Sequence, residues 1–469
     1  MPVLYQPDTL FAEGRFHAGA ALLVGDDGKT GGIQLDSDRQ LPTGTRVVAL
    51  PGKALLPGLH NVHSHAFQRL IRGRTESVRS GGRSFWSWRG AMYHAAADLS
   101  PEEIFHVARA CFLEMALAGT TTVGEFHYVH RMPEGRSYAD PNTLACQVIA
   151  AAQSVGIRIC LLRCAYQRSG FEKAPDPGQR RFLESTDEFI GAVEELHRRF
   201  HTSQAWVGVA PHSVRAVPLR TIEQVAAWAR ERDLPCHMHV AEQMAELDEC
   251  VREYGVTPVR LLADAGVLDD RFTAVHATHI ASAEMDLLAE ARATVCACPT
   301  TERNLGDGIL SARELMQRGI PIALGSDSQA QVEPLEDARE LEYHLRLRDQ
   351  RRSLLDGIDG TGLAARLLDC ATVNGARALQ CNAGTLEPGR LADFFTVRLD
   401  DISLVGSEGE DLLPAIVFGM RAAAVADVCV GGELIVRDGC HQDSKEIIAE
   451  YQRIARRVWT ESQPAVREL

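Results

Sequence analysis

The strongest constraint on the fold is an alternation that repeats eight times between residues 54 and 328. Each repeat has a short apolar run of strand type, followed by a longer stretch with helical periodicity. Apolar strands that alternate with helices are typical of a parallel sheet covered by helices on its outer side. Eight such units within about 275 residues favour a closed (β/α)8 barrel over an open sheet. The runs are ALLPGLHNVHSH, TTTVGEFHY, IRICLLRCAY, AWVGVAPHS, LPCHMHVAE, FTAVHATHI, ATVCACPTT and IPIALGSDS.

The helical stretches carry start signals. In SPEEIFHVARACFLEMALAG, Ser100 is the predicted N-cap, Pro101 occupies the first turn and Glu103 lies three residues after the cap. This arrangement satisfies the free N–H groups at the beginning of a helix. The apolar positions that follow recur at spacings of three and four residues, so the sequence predicts an amphipathic helix between the first two strands.

Both ends of the chain differ from the repeating middle. Short strand signals separated by Gly and Asp turns occur in LLVGDDGKTGGIQL, AGTLEPGRLADFFTVRL and AAAVADVCVGGELIVRDG. Neither end is long enough to bury a good core alone. We expect residues 1–56 and 384–440 to pair as one small β-sandwich domain. Residues 57–383 would then form an α/β barrel of the TIM type, and residues 441–469 a C-terminal helix.

Composition limits the partners and the compartment. The chain of 469 residues has a formal net charge of −14, which argues against nucleic acid as a partner. No apolar run reaches the length of a membrane span, and the N-terminus has no signal-peptide pattern. The twelve cysteines, among them Cys296 and Cys298, show no pairing framework. We interpret them as reduced core thiols of a cytoplasmic protein.

Polar residues stand where the predicted strands end, which is where active sites lie in such a barrel. The first strand gives His63 and His65, the fifth His239, the sixth His276 and the eighth Asp327. Two residues apart on a strand, His63 and His65 share one face. Imidazole and carboxylate groups are typical zinc ligands, and catalytic zinc sites leave one position to water. These side chains therefore suit a divalent metal ion, best Zn²⁺, although iron or manganese would accept the same ligands.

Two of these positions have a neighbouring alternative. In CHMHVAE, His237 lies one pleat deeper than His239, so we interpret His237 as a satisfied histidine of the barrel. In VHATHIA, His276 ends the apolar run, and we assign His279 to the following loop or helix start. The residues after the seventh strand, Glu302, Arg303 and Asn304, lie at the predicted pocket without an assigned role.

Several strings of the chain resemble the amidohydrolase superfamily: PGLHNVHSH, HMHVAEQ, VHATH, GSDS, NGARAL and GTLEPGRLADF. The resemblance covers nearly the whole chain. Longer strings are most similar to the formimidoylglutamate deiminases of its mononuclear zinc branch, namely HNVHSHAFQRLIRGR, SFWSWR, GEFHYVH, APHSVRAV and CPTTERNLGDGI. The resemblance implies hydrolytic deimination of N-formimidoyl-L-glutamate to N-formyl-L-glutamate and ammonia, in histidine degradation.

The resemblance also implies a role for each matching residue. Glu242 would shuttle protons, His276 would orient or deprotonate the water, and Asp327 would hold that water as well as the metal. The binuclear branch has a carboxylated lysine at the end of strand four, but VGVAPHSV contains no lysine, which argues for one metal ion. The implied ligands of this ion are His63, His65, His239 and Asp327.

An arginine-rich loop follows the first strand. Residues 66–90 contain one acid, Glu76, and the arginines Arg69, Arg72, Arg74, Arg79, Arg83 and Arg89. Because arginine binds carboxylates bidentately, the loop predicts a small anionic substrate, with a subunit interface or plain solubility as the alternatives. The resemblance implies a homodimer, and it implies substrate contacts at Gln68, Arg89, Tyr128, His212 and Arg215.

Three other functions stay open at this point. A purine or pterin deaminase of the same superfamily would use the same metal site but gives no reason for the arginine loop. An amide-cleaving hydrolase would use the same hydroxide chemistry. A catalytically inactive barrel that serves only for binding would be free to lose the ligands that this chain retains.

Overall fold

The computed structural model describes residues 1–35, 41–76 and 85–460, and in this part of the chain sixteen strands form two sheets. The strands are β1 (Val3–Ala12), β2 (Arg15–Ala18), β3 (Ala21–Val24), β4 (Thr30–Gln34), β5 (Arg46–Pro57), β6 (Leu59–Ser64), β7 (Thr120–His127), β8 (Arg158–Ala165), β9 (Ala205–Pro211), β10 (Cys236–Val240), β11 (Phe272–His276), β12 (Thr294–Ala297), β13 (Ile322–Leu324), β14 (Phe394–Arg398), β15 (Val425–Val430) and β16 (Glu433–Val436).

Strands β6 to β13 form the barrel in sequence order, each parallel to the next. The last strand meets the first through a bridge between Ser64 and Asp327. There the backbone N–H of Asp327 donates to the carbonyl of His63 at 2.9 Å, and the N–H of His65 donates to the carbonyl of Asp327 at 3.2 Å. The eight predicted strands and the predicted barrel are therefore confirmed.

The two ends of the chain build the second sheet together. Its order is β16-β15-β14-β5-β1-β3-β4, and β2 pairs with the second half of β1, beyond the residues of β1 that pair with β3. Strand β1 is parallel to β5, while the other pairs are antiparallel. Tyr5, Leu22, Leu55 and Phe394 are buried in one core on this sheet. The small β domain predicted from both ends is thus one mixed sheet of eight strands.

Helices cover the barrel between its strands. They are α1 (Phe85–Ala97), α2 (Pro101–Leu117), α3 (Thr143–Val155), α4 (Thr186–Arg199), α5 (Leu219–Glu231), α6 (Met244–Tyr254), α7 (Pro258–Asp264), α8 (Ser282–Glu290), α9 (Pro299–Leu305), α10 (Ala312–Gln317), α11 (Pro334–Asp349), α12 (Leu363–Ala371), α13 (Val373–Ala378), α14 (Leu412–Gly419) and α15 (Ser444–Thr460). Helix α2 begins with the predicted capping box of Ser100 and Glu103. Among the described residues, no helix has the length and apolar character that crossing a membrane requires.

The C-terminal helix α15 packs against α2 and the start of the loop after β6. Arg457 forms an ion pair with Glu103 of α2, at 2.6 Å from Nε to Oε1. The Tyr451 hydroxyl donates to the carbonyl of Arg69 at 3.1 Å, and the Trp459 indole N–H donates to the carbonyl of Leu70 at 3.0 Å. Residues 461–469, which belong to the predicted C-terminal helix, lie outside the described residues.

A buried ion pair joins the barrel to the small sheet. The Arg158 guanidinium, at the start of β8, donates to both carboxylate oxygens of Asp393, at 2.7 and 2.9 Å. Asp393 also accepts the backbone N–H of Gly431 at 2.8 Å. Both side chains are almost wholly buried, so each charge depends on the other for compensation.

Removal of one partner should destabilise the whole chain. We expect Asp393→Ala to lower the free energy of unfolding by about 3–5 kcal/mol, because it leaves the Arg158 guanidinium buried without its counter-charge. Urea unfolding followed by circular dichroism measures the change. The matched control is Asp264→Ala, which removes an exposed pair with Arg260 and should leave the unfolding midpoint unchanged. Equal midpoints for the two variants would contradict the role of the buried pair.

Candidate active site

Four of the predicted residues converge at the C-terminal ends of the barrel strands. His63 and His65 come from the end of β6, His239 from β10, and Asp327 follows β13. Their candidate ligand atoms all lie within 4.8 Å of one another, and all four residues are buried. Asp327 Oδ1 is 3.4 Å from His63 Nε2 and 3.3 Å from His65 Nε2. The group offers three imidazole nitrogens and a carboxylate, a donor set typical of zinc.

The orientation of the imidazoles leaves their Nε2 atoms for a ligand. The Nδ1–H of His65 donates to the carbonyl of Phe126 at 2.8 Å, and the Nδ1–H of His239 donates to the carbonyl of His212 at 3.0 Å. Such bonds orient metal-binding histidines. Neither ring nitrogen of His63 has a hydrogen-bond partner among the described residues. Burial lowers the pKa of His63 to about 3, which keeps its imidazole in the neutral form that binds metals. Buried nitrogens without partners fit a cation at this point.

The backbone at three of these strand ends lies in the left-handed region. The φ angles are 52° at Ala241, 70° at His276 and 47° at Asp327. Residues with a Cβ rarely adopt this conformation, and it costs about 1–3 kcal/mol where the surrounding structure enforces it. Such strain typically accumulates at functional sites. Burial alone would raise the pKa of Asp327, but the imidazoles of His63 and His65 hold that pKa well below its usual range.

Three side chains suited to proton transfer, those of His276, Glu242 and Glu302, lie beside the candidate metal ligands. His276 Nε2 lies 4.0 Å from Glu242 Oε1 and 3.8 Å from Asp327 Oδ2. On its other side, the Nδ1–H of His276 donates to Glu302 Oε1 at 3.3 Å. Burial by itself would lower the pKa of His276, but the bond to Glu302 and the charges of Glu242 and Asp327 raise it to about 10. The imidazole therefore has a strong affinity for a proton.

The predicted proton carrier is paired with a predicted substrate residue. Arg215 Nη2 donates to Glu242 Oε2 at 2.5 Å, and Arg215 Nη1 lies 3.7 Å from Glu246 Oε2. Glu246 in turn accepts the backbone N–H groups of Ala241 and Glu242, at 3.2 and 3.4 Å. Burial raises the pKa of Glu246, while Arg215 opposes that rise. The Arg215 guanidinium is therefore held between two carboxylates near the C-terminal ends of β9 and β10.

All five predicted substrate residues line one cavity beside the candidate metal ligands. Gln68, Arg89, Tyr128, His212 and Arg215 share its wall with His65, His239, Glu242 and Asp327. Gln68 Nε2 donates to the Tyr128 hydroxyl at 2.6 Å, while the buried Oε1 of Gln68 has no partner among the described residues. Arg89 of α1 donates to the hydroxyl of Tyr93 and to the carbonyl of Ser169. The cavity thus presents two guanidinium groups close to the candidate metal ligands.

Comparison with known proteins agrees with this geometry. The sequence profile of the amidohydrolase family matches residues 54–435. The chain belongs to the amidohydrolase family. It is 40% identical over 391 residues to formimidoylglutamate deiminase from Pseudomonas aeruginosa, a match that covers 83% of this chain and 86% of that protein. It is 29% identical to 5-methylthioadenosine/S-adenosylhomocysteine deaminase from Natronomonas pharaonis, over 88% of each chain.

A solved structure extends the likeness to the whole fold. The crystal structure of an amidohydrolase from Brucella melitensis superposes with a TM-score of 0.87 at 31% identity, over 97% of this chain and 99% of that one. The family recognised from the sequence is confirmed. This amidohydrolase is therefore a hydrolytic enzyme with a divalent-metal site, and the inactive barrel considered above is excluded.

The arginine-rich loop contributes less to the cavity of this amidohydrolase than its composition indicated. Arg69 and Arg72 both bind Glu114 of α2, each at 2.7 Å, and the guanidinium of Arg74 lies over the Trp459 ring. These three arginines hold the loop to α2 and α15. Of the six, Arg79 and Arg83 lie outside the described residues. Among the others, Arg89 alone lines the cavity.

Sequence reasoning left several residues of the site without a role. Glu302, at the first turn of α9, binds His276, and Glu246, at the first turn of α6, supports Glu242. Tyr166 directly follows β8 and lines the cavity. Their positions after strand ends are a usable signal. The role of each residue nevertheless depends on a partner that is distant along the chain, or on where a helix begins, and neither can be read from periodicity.

The other polar residues considered from the sequence contact partners outside the group of candidate metal ligands. Arg303 pairs with Glu340, and Asn304 donates to Glu76, so both contacts are on the outer side of the loop. The Nε2–H of His279 donates to the carbonyl of Asp307 at 2.7 Å, in the loop after β11 as expected. His237 Nε2–H donates to the carbonyl of Ala378 at 2.9 Å, as expected for a histidine within the barrel, while its Nδ1 has no partner among the described residues.

One glycine keeps His63 in place, and its substitution should weaken metal binding without removing a ligand. A Cβ at Gly325 would lie 2.7 Å from the Cβ of His63 and 3.0 Å from its backbone. We expect Gly325→Ala to lower metal affinity about 10- to 100-fold, a range typical of changes behind a ligand. Metal content after dialysis against a chelator measures it. The control, Gly191→Ala on the exposed face of α4, meets no atom within 4 Å and should retain the metal. Equal retention by both variants would refute the packing role.

Proposed function

We propose that this amidohydrolase hydrolyses N-formimidoyl-L-glutamate to N-formyl-L-glutamate and ammonia, a step of histidine degradation. Water supplies the oxygen of the new formyl group, and the terminal imino nitrogen leaves as ammonia. The observation that carries the proposal is that Arg89 and Arg215 line the same cavity as the metal ligands and Glu242. An arginine pair suits a substrate with two carboxylates. The relative from Pseudomonas aeruginosa, named for this activity, supports the same conclusion.

We propose that the metal is a single Zn²⁺ held by His63, His65, His239 and Asp327. When bound, a divalent cation of this kind acts as a Lewis acid and lowers the pKa of water to about 7. A second group of candidate ligands comprises His276, Cys298 and Asp327. It shares the Asp327 carboxylate with the first group, and strand β9 ends without the lysine typical of binuclear relatives. Both points support one ion.

The protein's own groups supply the proton transfers. Glu242 lies on the wall of the cavity and can take a proton from water and deliver it to the leaving nitrogen. His276, which faces Glu242 and Asp327 and is oriented by Glu302, can hold a proton during the attack. General acid–base assistance of this type contributes about 10²–10⁴-fold in rate. Asp327, a candidate metal ligand beside His276, would also orient the attacking water.

Five other residues of the same cavity recognise the substrate. Arg89 and Arg215 bind the carboxylates, while Gln68, Tyr128 and His212 border the formimidoyl group. The partner is thus a small anionic molecule, and the net charge of −14 supports neither nucleic acid nor an anionic membrane surface. We further propose a homodimer, the commonest assembly of such chains, that works in the cytoplasm. The twelve cysteines, all free, support that compartment.

A substrate panel tests the proposal. The purified protein should release ammonia from N-formimidoyl-L-glutamate, and do so far faster than from methylthioadenosine, adenosine, guanine or a pterin. Coupled detection of ammonia with glutamate dehydrogenase gives the rates. Preference for a purine or pterin would replace the proposal with the rival deaminase activity. Cleavage of a plain amide at a comparable rate would point to the amide-cleaving alternative.

Glu242 should be separable from the metal ligands. We expect Glu242→Gln to keep the metal and lose about 10²–10⁴-fold in kcat, because the amide can neither take up nor deliver the proton. His239→Ala, the comparison variant, should lose both metal and activity. Metal analysis and the ammonia assay are made on the same samples. Loss of the metal from Glu242→Gln would instead make Glu242 part of the coordination.

Arg89 should contribute to the affinity for the substrate, which the Michaelis constant KM reports. Truncation in Arg89→Ala removes a charge-assisted bond worth about 1.5–3 kcal/mol, so KM for N-formimidoyl-L-glutamate should rise roughly 10- to 100-fold. Arg74→Ala is the matched control from the same loop, since Arg74 lies over Trp459. Steady-state kinetics of both variants measure the difference. An unchanged KM for Arg89→Ala would remove this residue from the binding wall.

A further inference from the structure

The ion pair between Arg215 and Glu242 connects substrate binding to proton transfer. Both side chains line the cavity, and both are largely buried, with 12% and 5% of their side-chain surface exposed. At 2.5 Å, the contact is a close charge-assisted bond. The guanidinium therefore covers Glu242 Oε2 on the side of the cavity. While the pair lasts, that oxygen is not available to a water or to a substrate nitrogen.

Glu246 gives the guanidinium a second carboxylate that is fixed in place. Its two oxygens accept the backbone N–H groups of Ala241 and Glu242, and its side chain is 1% exposed. Glu246 thus remains beside Arg215 whatever Glu242 does. If the Arg215 guanidinium turns toward the cavity, it leaves Glu242 but stays within reach of a counter-charge. The arrangement permits the guanidinium to change one of its partners at modest cost.

We propose that a carboxylate of the bound substrate takes Arg215 from Glu242, and that this exchange of partners releases Glu242 for catalysis. The inference rests on the proposed function. Without an anionic ligand, the Arg215 guanidinium stays bound to the Glu242 carboxylate. With the ligand bound, Glu242 loses its positive partner, accepts a proton as the O–H bond of water breaks, and delivers it to the nitrogen whose C–N bond breaks. Arg215 then selects for anionic substrates through kcat as well as KM.

The exchange makes a prediction that simple binding does not. If Arg215 only bound the substrate, an amidine without carboxylates would be hydrolysed at a rate independent of added carboxylates. If Arg215 exchanges Glu242 for a substrate carboxylate, a separate small carboxylate should also bind the guanidinium. It should then accelerate hydrolysis of the amidine. N-methylformamidine and propionate together resemble the two halves of the proposed substrate, so they are suitable probes.

The experiment compares the hydrolysis of saturating N-methylformamidine with and without propionate, in the metal-loaded protein. In the unchanged protein, we expect propionate to raise kcat at least about 10-fold, a part of the full acid–base contribution. Arg215→Met should start from a higher rate than the unchanged protein and show no response to propionate. Arg89→Met is the control, and it should still respond. No acceleration of the unchanged protein, or no turnover at all, overturns the proposal.

A structural readout is independent of the variants. A crystal structure of the unchanged protein with N-formyl-L-glutamate should show the Arg215 guanidinium against a ligand carboxylate and more than 4 Å from Glu242, compared with 2.5 Å here. An intact pair in that complex overturns the exchange. Failure of the proposed function looks different, because N-formimidoyl-L-glutamate itself would then release no ammonia. Release of ammonia without any effect of propionate would refute the exchange alone.

Discussion

Closure of the barrel between its first and last strands is the constraint on which the site depends. The peptide of Asp327 bonds to His63 on one side and to His65 on the other, so the backbone that closes the barrel also sets the spacing of three candidate ligands. A shift of one residue at this seam would turn His63 and His65 away from the ion, because neighbouring side chains on a strand point to opposite faces. Gly325 allows the close approach that this seam requires.

Charge explains why the site needs both a metal and a particular substrate. Four carboxylates, those of Glu242, Glu246, Glu302 and Asp327, lie in one buried region, where the first two contact Arg215 and the last two contact His276. Such an excess of negative charge in a buried region is costly unless cations offset it. A divalent ion does so permanently. The proposed substrate does so during the reaction. Its amidinium group brings positive charge to the acids, and its carboxylates bring negative charge to the arginines.

The sequence was sufficient for the fold and for the convergence of the site, because both follow from periodicity. Apolar runs mark the strands, and the residues that end them must meet at one rim of the barrel, as His239 and Asp327 do. Partnerships across the rim carry no such periodic signal. The sequence therefore assigned Arg215 to the substrate and did not reveal its bond to Glu242. It likewise indicated one group of substrate-binding arginines after β6, although Arg69 and Arg72 form ion pairs with Glu114 of α2.

The position of α15 links the end of the chain to the chemistry. Tyr451 and Trp459 bind the carbonyls of Arg69 and Leu70, directly after the segment that carries His65 and Gln68. The catalytic loop is thus tethered by residues almost four hundred positions later. A ribosome must therefore pass Trp459 before that loop can gain its tether, so the segment after His65 is held in place only once every strand of the barrel and of the small sheet has been made.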